Sequence, residues 1–263
     1  MGAEHRPHGA VALTVSYDGA PFCGFARQPE RDTVQGRLET ALATALRREV
    51  VTVGAGRTDA GVHALGQVVS FDSDGCEPEP GALLRSLNAL VGEGIVVTGV
   101  RRAAPGFSAR FDAEAREYRY RLIPGPTPPL FLGRVAWWTR RALDLSAMRT
   151  AARVLIGEHD FRSFCVADGA EGQSTYRSLE LLEILPEEHL GEYCVTVRIV
   201  GNAFLHSMVR VITGSLVQIG LGRRDPGWLG EVLAACDRTA AGPTAPACGL
   251  TLWHVNYPDE CWL

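Results

Sequence analysis

Lysine is absent from this chain: all 26 basic residues among its 263 are arginine. The absence excludes mechanisms that need a side-chain amine, such as Schiff-base chemistry, the phosphate-binding lysine of a P-loop and the lysine of a protein kinase. Arginine stays charged and presents a flat fork of donors that fits phosphate groups. The basic residues of this chain therefore still suit a phosphate-containing partner.

Long apolar runs and paired cysteines are also lacking. No run reaches the roughly 18 apolar residues of a membrane-spanning helix, and residues 1–9 lack the apolar centre of a signal peptide. We therefore expect no membrane association and a cytoplasmic location. The seven cysteines are widely spaced and form no C-x-x-C pair, which predicts neither a disulfide framework nor a metal site of the zinc type.

The formal net charge is −4, so a nucleic-acid partner would require a local basic surface. The arginine clusters that could form one are 47–48, 101–102, 140–141, 223–224 and the group Arg110, Arg116, Arg119 and Arg121. Each cluster could equally be a solvated face of the protein.

Apolar spacing in the first hundred residues predicts alternating strands and helices. Val11 and Leu13 belong to a strand-like alternation, and Val34, Leu38 and Leu42 recur with helical spacing after Thr33 or Asp32, either of which could cap the helix. The predicted elements are strand 11–17, helix 34–45, strands 50–53 and 67–71, helix 82–90 and strand 95–100. This β-α-β-β-α-β order is ferredoxin-like, with an antiparallel sheet covered by helices on one face.

A change of composition at residues 103–106 predicts a junction between an N-terminal domain, 1–105, and a C-terminal domain, 106–263. The second half is predicted to contain strands 118–122, 135–139, 176–185, 193–200 and 250–255 and helices 145–155, 204–219 and 228–235. It resembles an elaborated second copy of the first half. The predicted fold class is therefore α+β, with two ferredoxin-like halves and a cleft between them.

Residues 53–71 read as strand, glycine-rich turn and strand, with Arg57 and Asp59 at the turn. A carboxylate held between two rigid strands is well placed for chemistry, although a turn aspartate often only binds nearby backbone N–H groups. The Gly54-Ala55-Gly56 sequence does not complete a dinucleotide-binding fingerprint. Asp59 stands where the third glycine belongs, and a strand follows instead of a helix.

Three further residues have both a structural and a functional interpretation. His63 lies four residues after Asp59, on the same face of an extended segment but far from it, which favours a structural hydrogen-bonding role. Arg210, four residues after His206 on a predicted helix, could be solvated or could keep a carboxylate ionised. Tyr118 could be a core tyrosine or could stack on an extruded base.

A series of motifs carries a family resemblance over nearly the whole chain. They lie at residues 17–19, 24–28, 33–35, 55–64, 66–69, 107–111, 118–120, 160–164, 202–210 and 244–250. The most specific is A-G-R-T-D-A-G-V-H-A at 55–64. In their order, these motifs resemble the TruA-type tRNA pseudouridine synthase family. The chain departs from that family at Phe25, Ala26, Ser108 and Ser207, where Trp, Gln, His and His are usual. These departures concern substrate contacts and leave the expected catalytic carboxylate unchanged.

The resemblance implies a role for each residue of the site. Asp59 would be the catalytic nucleophile, Arg57 would help to displace the target base, and Tyr118 would pack on the uracil. Arg210 would pair with Asp59, and we assign His63 to substrate binding. The implied substrates are uridines 38, 39 and 40 of the tRNA anticodon arm. The implied protein is a homodimer that needs no metal or organic cofactor.

Elementary chemistry agrees with this interpretation. Isomerising uridine breaks the N1–C1′ bond and joins C5 to C1′, and a carboxylate can stabilise or capture the oxocarbenium-like state. The uracil must first leave its stack, and water must be excluded. Attack at C1′ by Asp59 and removal of a ribose proton both remain open.

Two other functions remain possible from the sequence alone. One is a tandem ferredoxin-like RNA-binding module without catalysis, although residues 67–71 lack the aromatic signature of such modules. The other is an enzyme acting on a small molecule, which only the acidic net charge favours.

Overall fold

Residues 9–166 and 174–263 are described by a computed structural model. They form a mixed fold of strands and helices that divides by its contacts into two units. Unit 1 comprises Met1–Glu114 and Leu252–Leu263, and unit 2 comprises Ala115–Thr251. The predicted domains 1–105 and 106–263 have other bounds and stay a prediction. The expectation that residues 1–9 form no signal peptide concerns positions outside the described residues, apart from Gly9.

Unit 1 has the predicted order of elements. These are β1 (Ala10–Tyr17), α1 (Val34–Leu46), β2 (Val53–Gly54), β3 (His63–Asp72), α2 (Pro80–Leu90) and β4 (Ile95–Ala103). Strand β1 lies between β3 and β4 and is antiparallel to both, while β2 pairs antiparallel with β3. The antiparallel sheet predicted for this half is confirmed in these pairs.

The first helix shows why the sequence folds as it does, and why one strand was misplaced. Thr33 caps α1 by accepting a hydrogen bond from the Gly36 N–H, and Leu38 is fully buried. The strand predicted over residues 50–53 is present but begins too early in the prediction, because the Thr52 N–H and hydroxyl both donate to the Glu39 carboxylate of α1. Strand β2 therefore begins only at Val53.

Unit 2 contains a longer set of elements. These are β5 (Ala115–Ile123), β6 (Trp137–Trp138), α3 (Leu145–Ala152), β7 (Gly157–Asp160), β8 (Tyr176–His189), β9 (Glu192–Gly201), α4 (Met208–Gly220), α5 (Trp228–Ala235) and the first residues of β10 (Leu250–Asn256). The predicted antiparallel pairing of β8 with β9 is confirmed, and the strands follow the order β5-β9-β8-β7. The short β6 departs from an all-antiparallel sheet because it pairs parallel with β5.

The start of α4 corrects the sequence-based prediction. Ser207 has a left-handed backbone with φ of 59°, so the helix begins at Met208 and not at residue 204. His206 therefore precedes the helix and is not an i, i+4 neighbour of Arg210 within it. Among the described residues, no helix has both the length and the apolar character needed to cross a membrane.

Candidate active site

The loop between β2 and β3, residues 55–62, carries Asp59 and is called the Asp59 loop below. Its side chains alternate in exposure: Arg57 is exposed, Thr58 is buried and Asp59 is half-buried. The guanidinium therefore points toward solvent while the neighbouring hydroxyl points into the protein. The carboxylate lies at the boundary, where it is accessible and still fixed by its buried neighbour.

Hydrogen bonds hold this loop to segments that are distant in sequence. The Thr58 hydroxyl lies 2.7 Å from the Tyr17 hydroxyl, and the Thr58 carbonyl accepts a bond of 3.0 Å from the Phe25 N–H. The Gln67 side-chain amide donates to the Gly56 carbonyl at 2.8 Å. Asp59 itself closes a turn, because its carbonyl accepts from the Val62 N–H at 3.1 Å. These bonds fix the backbone on both sides of the carboxylate.

Two glycines allow the chain to pass close to the loop. A Cβ added at Gly19 would lie 2.0 Å from the Val62 carbonyl oxygen, and one at Gly24 would lie 3.0 Å from the Thr58 carbonyl oxygen. Both clashes would be with backbone, which cannot rotate away as a side chain can. Gly24 also has a φ of +96°, which other residues rarely adopt. The close packing of the loop therefore depends on these two positions.

His63 begins β3 and is buried, with 6% of its surface exposed. Its Nδ1 accepts a hydrogen bond of 3.1 Å from the Gly19 N–H and lies 3.2 Å from an Asp18 carboxylate oxygen. Nδ1 therefore faces both a backbone donor and a carboxylate. The Nε2 atom has no hydrogen-bond partner within residues 9–166 and 174–263. The structural role expected from the sequence is thus visible at Nδ1.

Tyr118 lies on β5 of unit 2 and is largely buried, with 8% of its surface exposed. Its ring meets the Phe204 ring edge-on, with centroids 5.0 Å apart and planes at 80°. Edge-to-face pairs of this kind fix the orientation of both rings. Phe204 therefore supports Tyr118, and the sequence-based assignment had not identified this partner.

Arg210 lies in the first turn of α4 and is half-buried. Its Nε donates to the Ala245 carbonyl at 2.8 Å, and the Ala245 N–H donates back to the Arg210 carbonyl at 3.1 Å. The next carbonyl, that of Pro246, accepts the Tyr120 hydroxyl at 2.7 Å. Burial raises the pKa of Tyr120 far above its ordinary range, so this hydroxyl stays a donor. The side chain and the main chain of Arg210 are therefore both hydrogen-bonded to Ala245, and Tyr120 holds the next residue.

One arginine of β5 and one of β9 share a carboxylate partner. Glu117 lies 2.7 Å from Arg119 and 3.0 Å from Arg198. Burial opposes the charged form of Glu117, but hydrogen bonds from the two arginines keep its pKa below the ordinary value. Arg119, one member of a predicted basic cluster, is thus partly neutralised.

One group of metal-ligating residue types occurs in the described residues. Donor atoms of Glu187, His189 and Cys194 all lie within 4.8 Å of one another. The Glu187 carboxylate already accepts from the Thr196 hydroxyl and lies 3.1 Å from His189 Nε2. Glu187 and His189 are therefore already engaged with protein partners.

The structure assigns the predicted residues to two regions. Arg57, Asp59 and His63 lie on or beside the Asp59 loop in unit 1, while Tyr118 and Arg210 belong to unit 2. Sequence reasoning missed the residues that position the loop. Gln67 could have been noticed, because it is a polar residue within an apolar strand.

The sequence of this chain is similar to those of known proteins over most of its length. The family model described as tRNA pseudouridine synthase matches residues 13–111 and 151–258. The tRNA pseudouridine synthase A of Brevibacillus brevis is 45% identical over 250 residues, covering 94% of this chain and 99% of the relative. That of Ralstonia nicotianae is 46% identical over 253 residues, covering 95% of this chain and 90% of the relative.

The likenesses to solved structures are weaker. A chain of a Cbf5-Nop10-Gar1 complex is 12% identical with a TM-score of 0.33, covering 79% of this chain and 45% of the other. A TM-score of this size establishes no shared fold. The sequence matches, in contrast, extend over most of both chains. They confirm the resemblance seen in the motifs: this chain belongs to the tRNA pseudouridine synthase family and is an isomerase.

Proposed function

We propose that this protein, which by its family isomerises uridine to pseudouridine in tRNA, acts at positions 38, 39 and 40 of the anticodon arm, as the resemblance of its motifs implies. The observation that carries the proposal is the half-buried Asp59 carboxylate on a loop fixed by Tyr17, Phe25 and Gln67. A group that is fixed before the substrate arrives loses little freedom in the transition state. The same proposal includes two ferredoxin-like halves with a cleft, a homodimer and a cytoplasmic location.

The reaction exchanges one bond to the sugar for another. The N1–C1′ bond breaks, the uracil turns, C5 bonds to C1′, the C5 proton leaves and N1 gains a proton. In the proposal, the ionised carboxylate of Asp59 acts either as nucleophile at C1′ or as base toward a ribose proton. Both routes require Asp59 to be charged and close to the sugar.

The other residues act on the base and on the charge of the carboxylate. Arg57 is exposed beside Asp59, as a residue that displaces the target base must be. Tyr118 offers an aromatic surface to the extruded uracil, and Arg210 pairs with the Asp59 carboxylate. His63 is assigned to substrate binding in this proposal, although its Nε2 is buried without a partner among the described residues, so contact with a substrate oxygen requires the surrounding side chains to move.

The decisive test uses tRNA whose uridines carry tritium at C5. We expect the Asp59→Asn variant to bind tRNA within about twofold of wild type but to release no tritium. Asp72→Asn, which changes an exposed aspartate at the end of β3, is the matched control and should retain activity. Tritium release at the wild-type rate by Asp59→Asn would contradict the proposal.

Salt dependence gives a second test of the substrate class. Phosphate contacts release counterions, so tRNA affinity should fall steeply as the salt concentration rises. A flat salt profile would show that the exposed arginines do not face RNA. A free nucleoside should not compete for the site as tRNA does, which separates the proposal from an enzyme acting on a small molecule.

A further inference from the structure

Phe111 is an exposed aromatic residue beside an arginine, eight residues after β4. Its side chain is 78% exposed, and the Arg110 guanidinium carbon lies 5.3 Å from the centre of its ring. Single exposed apolar residues are common and have no meaning by themselves. The question is therefore whether the surroundings of Phe111 fix it in place.

The segment before Phe111 is anchored from several directions. The Ala109 N–H donates to the Ser70 hydroxyl at 2.9 Å, and the Ala109 carbonyl accepts the Tyr257 hydroxyl at 2.6 Å. Phe107 is buried against Tyr257 and Trp262, with centroids 5.2 Å from each. The exposed ring thus stands two residues beyond a buried and hydrogen-bonded anchor.

The residues after the anchor form a closed turn. The Ser108 N–H donates to an Asp112 carboxylate oxygen at 2.8 Å, and the Asp112 N–H donates to the Ser108 carbonyl at 3.1 Å. These two bonds enclose Arg110 and Phe111. The backbone therefore presents the ring outward in a defined direction, although the ring gains little apolar burial there.

We propose that Arg110 and Phe111 form a stacking surface for an unpaired nucleotide of tRNA other than the reacting uridine. The inference rests on the proposed function and adds a second contact to it. Every base has a π face that can stack on a phenyl ring, and arginine adds charge complementary to the phosphate. We commit to a tRNA nucleotide as the occupant because the proposed substrate is tRNA and because a base with its phosphate matches the exposed ring and its guanidinium; the nearby Asp112 carboxylate accepts from the Ser108 N–H.

The test compares Phe111→Ala, Phe111→Leu and Phe111→Trp for tRNA affinity and for KM and kcat of tritium release. We expect Phe111→Ala and Phe111→Leu to raise the Kd and the KM about tenfold, as for one lost stacking partner, with kcat nearly unchanged. Phe111→Trp, which keeps an aromatic ring, should have the Kd and the KM of the wild type. Phe131→Ala, which removes a phenyl ring 62% exposed in unit 2, is the control and should bind as wild type.

A charge test completes the design. Arg110→Gln should weaken tRNA binding and reduce the salt slope by about one. The inference would be overturned if Phe111→Ala or Phe111→Leu bound tRNA as tightly as the wild type. It would also be overturned if sedimentation showed a changed oligomeric state for Phe111→Ala. The melting temperature of each variant is measured as well, and only variants that melt at the temperature of the wild type are compared, so that misfolding is recognised. Absence of pseudouridine formation by the wild type would instead refute the proposed function.

Discussion

The two regions that carry the predicted site residues are built in different ways. The Asp59 loop is irregular and depends on hydrogen bonds from Tyr17, Phe25 and Gln67. Arg210, in contrast, lies in the first turn of a regular helix, α4, whose following residues are mostly buried. The loop is therefore defined by distant segments of chain, whereas the arginine is defined by the element to which it belongs.

This difference indicates where each region is vulnerable. A change in a distant residue can displace the Asp59 carboxylate without unfolding unit 1, because hydrogen bonds to that residue hold the irregular loop in place. Arg210 can move only if α4 moves, and α4 is part of the core of unit 2. Stability and activity should thus separate in unit 1 more readily than in unit 2.

The largest expected effect comes from Gly19→Ala. The new Cβ would lie 2.0 Å from the Val62 carbonyl oxygen, so the Asp59 loop must shift. We expect the free energy of unfolding to fall by about 3 kcal/mol, as in severe overpacking, and tritium release to fall further. Thermal melting and kinetics measure the two effects. Gly81→Ala, in α2 with no clash, is the control. Normal kinetics for Gly19→Ala would break the comparison, because the loop would then not depend on this contact.

A smaller effect is expected from Glu77→Gln, which lies in unit 1 but outside the loop. Burial opposes the charged form, yet bonds from Ser73, the Asp74 N–H and Arg48 lower the pKa of Glu77 to about 2 from 4.5. Its stabilisation is therefore complete above pH 4.5 and disappears as the pH falls through about 2. We expect Glu77→Gln to lower the free energy of unfolding by about 2 kcal/mol at neutral pH.

The pH series for Glu77→Gln sharpens the comparison. The difference from wild type should shrink between pH 4.5 and 2, while kcat at neutral pH stays unchanged because the Asp59 loop is not touched. Glu93→Gln, an exposed glutamate, should show no such difference. A stability difference for Glu77→Gln that persists at the lowest pH would show that the charge is not its source.

The smallest expected effects come from two tyrosine hydroxyls. Tyr17→Phe loses the bond to Thr58, and Tyr120→Phe loses the bond to the Pro246 carbonyl. Each should lower the free energy of unfolding by about 1 kcal/mol. Only Tyr17→Phe should also lower kcat with KM nearly unchanged, since it releases the Asp59 loop. A Tyr17→Phe/Thr58→Val double-mutant cycle checks this coupling; equal kcat for both tyrosine variants would remove the proposed difference between the regions.

Periodic elements could be predicted from the sequence, while the contacts that position the site could not. The alternation of β8 and β9 and the spacing of Leu38 in α1 report local burial, which each segment encodes by itself. The start of α4 was misplaced because apolar spacing does not reveal the left-handed Ser207. The bond between Tyr17 and Thr58 joins residues 41 positions apart, and neither residue signals its partner in the sequence.

In the candidate site, too, local features could be predicted from the sequence and distant contacts could not. Asp59 and Arg57 could be identified from one short motif, since a glycine-rich turn and its charged residues are adjacent in the chain. Phe204, which meets the Tyr118 ring, lies in a different segment and was not expected there. Tertiary contacts of this kind depend on the packing of whole elements, so a single sequence predicts the reactive group better than its support.

The side chains of the Asp59 loop differ in exposure: Arg57 is exposed, Thr58 is buried and Asp59 is intermediate. This order has a consequence for the evolution of the turn. Inserting one residue directly after Gly56 would move Arg57 into the inward position beside the Tyr17 hydroxyl and Thr58 into the half-buried position of Asp59. Most surface loops accept such changes of length easily. This turn cannot, and its residue count should be inherited as strictly as the acid that it carries.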